Sequence, residues 1–171
     1  LDGPIDPSLL PAGPTAEHQY AHAAQFGVTN YGSRSILNIW SPFVDTFYAS
    51  NEFSLSQTWV VNGSIFDHTL ESLEVGAQGY PSKYGDNSAR LFIFSTSDGY
   101  SGDDYSSGCY NLDCGRFVQT SDSVVFGGRF SSYSIAGGLQ TEMDVTWFRG
   151  GTPAAWWLYI GGQPVGYYPL D

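Results

Sequence analysis

Two glutamates stand where glutamate is uncommon. Glu74, in ESLEVGAQGYPSKYGD, and Glu142, in LQTEMDVTWFR, each fall within a stretch patterned as a β-strand, whose interior is usually depleted in glutamate. Alternation puts each carboxyl on a face of small or polar residues. Ser72, Glu74 and Gly76 oppose Leu73 and Val75, while Gln140, Glu142 and Asp144 oppose Met143, Val145 and Trp147. Two carboxyls held close together cannot both ionise easily, so such a pair keeps one proton over an acidic range. The ionised member can deprotonate a water that attacks a carbonyl, and the protonated member can hydrogen-bond the carbonyl oxygen and later protonate the leaving amine. On pattern alone, two ordinary surface charges remain the better reading. Glu71, Asp86, Asp98, Asp103 and Asp104, at turns or strand ends, read as no more than that.

Few other groups compete for chemistry. His18 and His22 have the i, i+4 spacing of a helical metal pair, but no third ligand stands near, and a half-exposed polar face accounts for them. His68 is isolated in sequence. The chain lacks a Gly-x-Ser-x-Gly elbow, a His-Glu-x-x-His, a phosphate loop, a dinucleotide fingerprint and an Asp-Thr/Ser-Gly triplet. Neither a metal nor a cofactor is expected. Gln57 alternates with Phe53, Leu55, Trp59 and Val61. It can serve as an amide donor to an oxyanion or simply be an amide satisfied inside a cleft. Trp59, Tyr80 and Tyr100 are candidates to line a peptide groove, although core packing explains each as well. Gln140, on the face of Glu142, joins the substrate-binding candidates. Cys109 and Cys114, in GCYNLDCG, form either a short-loop disulfide or two free thiols. Zinc would need two further ligands. A disulfide is the better reading and implies an oxidising compartment. Asn62-Gly63-Ser64 is a glycosylation sequon compatible with that setting.

The elements that must position these residues are short. Runs rich in Val, Ile, Phe, Tyr and Trp recur between clusters of Gly, Ser, Asn, Asp and Pro, which predicts an all-β protein, a β-sandwich or a barrel. Strands are predicted at SRSILNIW, FSLSQTWVVNG, LESLEVGAQG, RLFIFSTS, RFVQT, SVVFGGRFS, LQTEMDVTWFR, AWWLYIGG and QPVGYYP. The Pro- and Gly-rich residues 1–16 read as an extended arm, and TAEHQYAHAAQFG as a short helix or an extended run. The remaining residues, 17–171, form one domain, large enough for its own core. Aromatics at 16% and charged residues at only 13% argue against disorder. A net charge of −11 argues against nucleic-acid binding. No apolar run approaches the roughly 18–20 residues of a membrane span. No charged-then-apolar leader opens the chain, so a secreted, extracellular protein whose signal has been removed is expected.

Whole motifs in order carry more than any one of them. EHQYAHAAQFGVTNYGSRSILNIWSPFV, FSLSQTWVVNG, LEVGAQGYPSKYGDNSARLFIFSTSDGY, GCYNLDCGRFVQT, GLQTEMDVTWF and WWLYIGGQPVGYYP resemble the neprosin family of secreted glutamic peptidases, from about residue 17 onward. The resemblance implies an antiparallel β-sandwich of two sheets and an acid-active endopeptidase acting on peptides or proteins. It puts the catalytic glutamates at Glu74, in EVGA, and Glu142, in QTEMDV, and implies a preference for cleaving after proline. Where the family has Trp after Glu-Ala-Gly this chain has Ala77; it also has GYYP for Gly-Tyr-Trp-Pro and Gly115-Arg116 for Pro-Gly. These departures bear on the proline preference more than on the chemistry. Family members run on through further strands, which implies a separate C-terminal fragment as partner if the chain is processed. A dyad requires the two carboxyls to meet across one groove with room for a water. Carboxyls on the outer faces of opposite sheets would instead favour the alternative, a non-catalytic sandwich that binds glycan or peptide along an aromatic-lined groove.

Overall fold

Stretches of alternating character become strands with two different faces. A computed structural model describes residues 19–47, 51–64, 68–99 and 108–170. Within them run β1 (Gly32–Asn38), β2 (Ser54–Asn62), β3 (Glu71–Gly79), the one-turn helix α1 (Pro81–Tyr84), β4 (Arg90–Thr96), β5 (Cys109–Tyr110), β6 (Val118–Gln119), β7 (Glu142–Gly150), β8 (Ala155–Ile160) and β9 (Gln163–Pro169). They form two antiparallel sheets, one of five strands in the order β1-β7-β8-β9-β6 and one of four in the order β2-β3-β4-β5. The expected all-β, two-sheet sandwich is what forms.

One shared core joins the sheets. From the four-stranded sheet come Val75, Ala77, Leu91 and Ile93; from the other come Met143, Val145, Trp147, Leu158 and Val165. Each follows the period of two, so every second residue on β3, β4 and β7 meets the opposite sheet. Trp147 and Leu158 are almost completely enclosed, and burying a side chain of that size contributes roughly 1.5–3 kcal/mol.

Turn chemistry sets the ends of β3 and β4. Pro81 opens α1, where its missing N–H costs nothing. Gly85 closes it in the left-handed conformation at φ 79°, with its N–H bonded to the Pro81 carbonyl at 2.7 Å. Asp86 then receives guanidinium groups from Arg90 and Arg129, and Asn87 Oδ1 accepts the Val44 N–H at 2.6 Å. The disulfide Cys109–Cys114 is present.

Two sequence expectations change. SVVFGGRFS does not form a strand. Gly127, at φ 78°, and Gly128 turn the chain there, and the segment meets β4 through the Leu91 backbone, an Arg90–Arg129 bridge and a hydrogen bond from Arg90 Nη1 to the Gly127 carbonyl. RFVQT shortens to the two residues of β6. The described part of TAEHQYAHAAQFG, from residue 19, has no helix or strand. The arm predicted over residues 1–16 lies outside the described residues.

Candidate active site

Because Val75 and Ala77 face the core, Glu74 faces away from it. Directly opposite strand neighbours share a face, so the pairings of β2 through β5 draw a row across the outer face of the four-stranded sheet: Trp59, Glu74, Phe94, Tyr110. The next same-face row is Gln57, Gly76 and Phe92, followed by Leu55, Gln78 and Arg90. This outer face is buried too. Glu74 is only 4% exposed, and Ser72, Gln78, Phe92 and Thr96 are as enclosed. A carboxyl this deep must be hydrogen-bonded, and Ser72 Oγ donates to Glu74 Oε1 at 2.8 Å. Tyr20, from the irregular N-terminal run, lies near enough to feel it. Burial is the main reason the Tyr20 phenol is pushed above its ordinary pKa, and the Glu74 charge adds to the effect.

Around Glu74 the face is aromatic with amides between. Gln57 Oε1 is buried without a hydrogen-bond partner. Beside it β2 passes so close to β3 that a β-carbon on Gly76 would overlap the Ser56 carbonyl oxygen and come within 2.8 Å of Gln57 Cα. Glycine is the residue that permits this approach. Gln78 Nε2 donates to Tyr110 Oη at 3.2 Å. The Tyr110 phenol is pushed up to about 12, chiefly by burial, with the charge of Glu74 acting in the same direction. Tyr80, just past β3, packs its ring on Phe53 at 5.5 Å between centroids.

Of the residues singled out in the sequence, Glu74, Gln57, Trp59 and Tyr80 therefore gather on or beside one face. Glu142 does not join them. It is the first residue of β7, exposed, opposite Asn38 of β1, and its neighbour Met143 faces the core. Its side chain thus leaves the outer face of the other sheet. Sheets of a sandwich lie about 10 Å apart, so the whole core separates the two carboxyls, and one copy of the chain does not pair them. Gln140 is also elsewhere. Its Nε2 donates to the carbonyls of Ile135, Gly138 and Leu139, and its Oε1 accepts from Asn38 Nδ2 at 3.1 Å, which fastens a turn. Asn62, exposed at the end of β2, donates its amide to the Glu71 carboxyl at 3.3 Å. Glu71 is exposed, as expected of a solvated charge. Tyr100 and His18 lie outside the described residues; His22 and His68 are exposed.

Sequence reasoning missed Ser72, Gln78 and Tyr110. Ser72 and Gln78 share the even positions of β3 with Glu74, so the same alternation already pointed to them. Tyr110 had no such signal, because β5 is only two residues long.

The protein-family comparison adds one finding. The family model named neprosin matches residues 50–171, the stretch that holds β2 through β9. The chain belongs to the neprosin family. The match begins beyond β1, which nevertheless forms one edge of the five-stranded sheet. Neprosin membership points to a peptidase-type function, and the outer face of β2–β5 supplies a buried carboxyl ringed by amides and phenols.

Proposed function

We propose that this neprosin-family chain is a secreted, acid-active endopeptidase in which Glu74 handles the proton of the hydrolytic water. The observation that carries this reading is the enclosed Glu74 carboxyl, held by Ser72 in the middle of an aromatic row. Ionised Glu74 takes a proton from water as its oxygen bonds to the scissile carbonyl carbon. As the carbon–nitrogen bond breaks, Glu74 returns that proton to the leaving amine. The Gln57 amide is the candidate donor to the oxyanion, a contact often worth roughly 3 kcal/mol. The groove offers Trp59 and Tyr80 as apolar walls, which suit a peptide carrying proline beside the cleaved bond. The disulfide supports an oxidising, extracellular setting.

Kinetics on a defined peptide library in the acidic range test this reading. Glu74→Gln is expected to lose at least about 10³-fold in kcat with its melting temperature kept, whereas Glu142→Gln keeps wild-type rates. Full activity in Glu74→Gln would remove the proposal. Loss of activity in Glu142→Gln with the fold intact would restore a two-glutamate mechanism that needs a different arrangement of the sheets.

A second reading draws on the opposite face. Phe148, Trp157 and Tyr167 lie side by side on β7, β8 and β9, and Phe148 is 45% exposed. The Trp157 and Tyr167 rings are 4.7 Å apart. Beside them a shallow depression of about 270 Å³ is lined by Thr146, Phe148, Tyr159 and Gly162. Such a platform suits the flat apolar faces of sugar rings, and a non-catalytic glycan-binding role would use it. Binding to insoluble polysaccharide that is lost in Trp157→Ala is the expected signature of that role; no binding by the wild-type chain would exclude it.

A further inference from the structure

Among the described residues, four strands end the two sheets: β1 and β6, β2 and β5. An unpaired edge invites a further strand, and short length or a charged side chain is the usual protection. β5 and β6 have only two residues each, and β1 carries the largely exposed Arg34 at its middle. β2 has neither safeguard. It runs nine residues in unbroken register with β3, and from Phe53 to Ser64 there is no proline and no charged residue. Among the described residues, no backbone group is hydrogen-bonded to its other edge. Alternate residues of an antiparallel strand with one neighbour direct their N–H and C=O away from it, and Leu55 and Val61 stand exposed along the strand. The edge also fits itself. Two copies of β2 paired antiparallel about Thr58 would set each Leu55 against a Val61, an apolar cross-strand match on one face.

The sequon Asn62-Gly63-Ser64 stands at the end of this edge. Asn62 is the last residue of β2 and is exposed. Gly63, at φ 77°, takes the chain out of the ladder, and a β-carbon there would overlap the Thr69 carbonyl oxygen. The Ser64 N–H donates to Thr69 Oγ1 and the Thr69 N–H to the Ser64 carbonyl, each at 3.0 Å, which clasps the turn. The asparagine is thus held at an exposed corner. Its amide donates to Glu71 at 3.3 Å. An asparagine amide has two N–H groups, so a sugar on the nitrogen leaves one for that contact.

We propose that Asn62 carries an N-linked glycan, and that the glycan covers the unguarded edge of β2 against a second copy of the chain. The donor is an oligosaccharide on a lipid diphosphate. Asn62 Nδ2 bonds to its anomeric carbon and loses one proton, while the bond from that carbon to phosphate breaks and the diphosphate leaves with the electron pair. A hydrated glycan at the end of the ladder cannot be enclosed between two strands without losing its water. The proposal involves no catalytic residue. It needs passage through an oxidising secretory compartment, which the Cys109–Cys114 disulfide suits.

Secretion of the full chain from yeast behind a cleavable leader tests both parts. The intact mass should exceed that of the bare sequence and fall on treatment with peptide N-glycosidase, with Asn62 converted to aspartate. Asn62→Gln and Ser64→Ala should each be secreted at the bare mass. Wild-type chain secreted at the bare mass overturns the proposal. Light scattering reads the shielding. The glycosylated chain should stay monomeric as its concentration is raised, while Asn62→Gln and Ser64→Ala both shift to dimer. Ser64→Ala keeps Asn62, so it separates loss of the glycan from loss of the side chain, and it decides alone if Asn62→Gln does not fold. Adding Val61→Lys to either variant puts a charge on the edge and should restore the monomer. A Ser64→Ala chain as monomeric as the wild type, or association that Val61→Lys leaves unchanged, overturns the shielding of β2.

Discussion

Asp86 gathers more compensating charge than any other described carboxylate. Arg129 Nη2 lies 2.6 Å from Oδ2 and Arg90 Nη2 reaches the same oxygen, while the Ser88 N–H donates to Oδ1 at 2.8 Å. The hydrogen bond from Arg129 is the largest cause holding this carboxyl well below the usual carboxylate range, and the Ser88 N–H is next. Asp144 is likewise held low by its bond from Arg34. The sign for stability follows from the folded pKa being depressed. The unfolded chain binds protons first as pH falls, so the contribution is complete above the ordinary aspartate pKa and disappears only as pH falls through the folded value. Asp86→Asn should therefore melt below the wild type at pH 6. The gap should persist at pH 4 and close only in strong acid, as thermal melts across pH would record. Glu74 stands out at this scale because a glutamate in a strand interior asks for an explanation. The Tyr110 hydroxyl does not, since nothing in GCYNLDCG says toward which neighbour the ring leans.

Among the elements, β3 does most to define the site. It is flanked on both sides, with Val75 and Ala77 entering the core and Ser72, Glu74 and Gln78 enclosed on the other face. Gly76, at its middle, accepts the close passage of β2. Gly76→Ala is expected to destabilise the fold by about 1–3 kcal/mol, the usual range for forcing extra volume into packed structure, and to push Gln57 off the Glu74 face. Urea denaturation and kcat report the two effects separately. Wild-type stability in that variant would mean that β2 can yield. Strand content was well read from alternation, to within a residue or two for β1 to β4, β8 and β9, while β7 starts three residues later than predicted. It failed at SVVFGGRFS because two adjacent glycines turned an apolar run into a loop. It also failed to say which face of β2 enters the core: Leu55, Trp59 and Val61 point outward with Gln57, and Leu55 and Val61 remain well exposed. Hydrophobic alternation predicts a two-sided strand, but the outer face of a sheet can be as apolar as its core side.

For the whole molecule, two sheets have two outer faces, and that decides which distant residues can meet. Glu74 and Glu142 matched each other in strand context, spacing from apolar neighbours and resemblance to a family. None of those features records which sheet a strand joins. Sheet membership follows from the order β1-β7-β8-β9-β6 against β2-β3-β4-β5, a long-range property fixed by packing rather than by local pattern. The fold class was therefore readable from the chain, while the sheet on which each of the two carboxyls would lie was not.

The burial of β3 on both faces has a consequence in time. Segments of a protein open locally with free energies that rise from nearly zero at frayed edges to the full stability in the centre. β6, two residues at a sheet margin, belongs to the first kind; β3, hydrogen-bonded along both edges and covered above and below, belongs to the second. The strand that carries Glu74 can loosen only when nearly everything else has let go. The carboxyl therefore keeps its position through excursions that would unseat Tyr20 or Tyr80, and motion at this site belongs to its walls while its floor stays still.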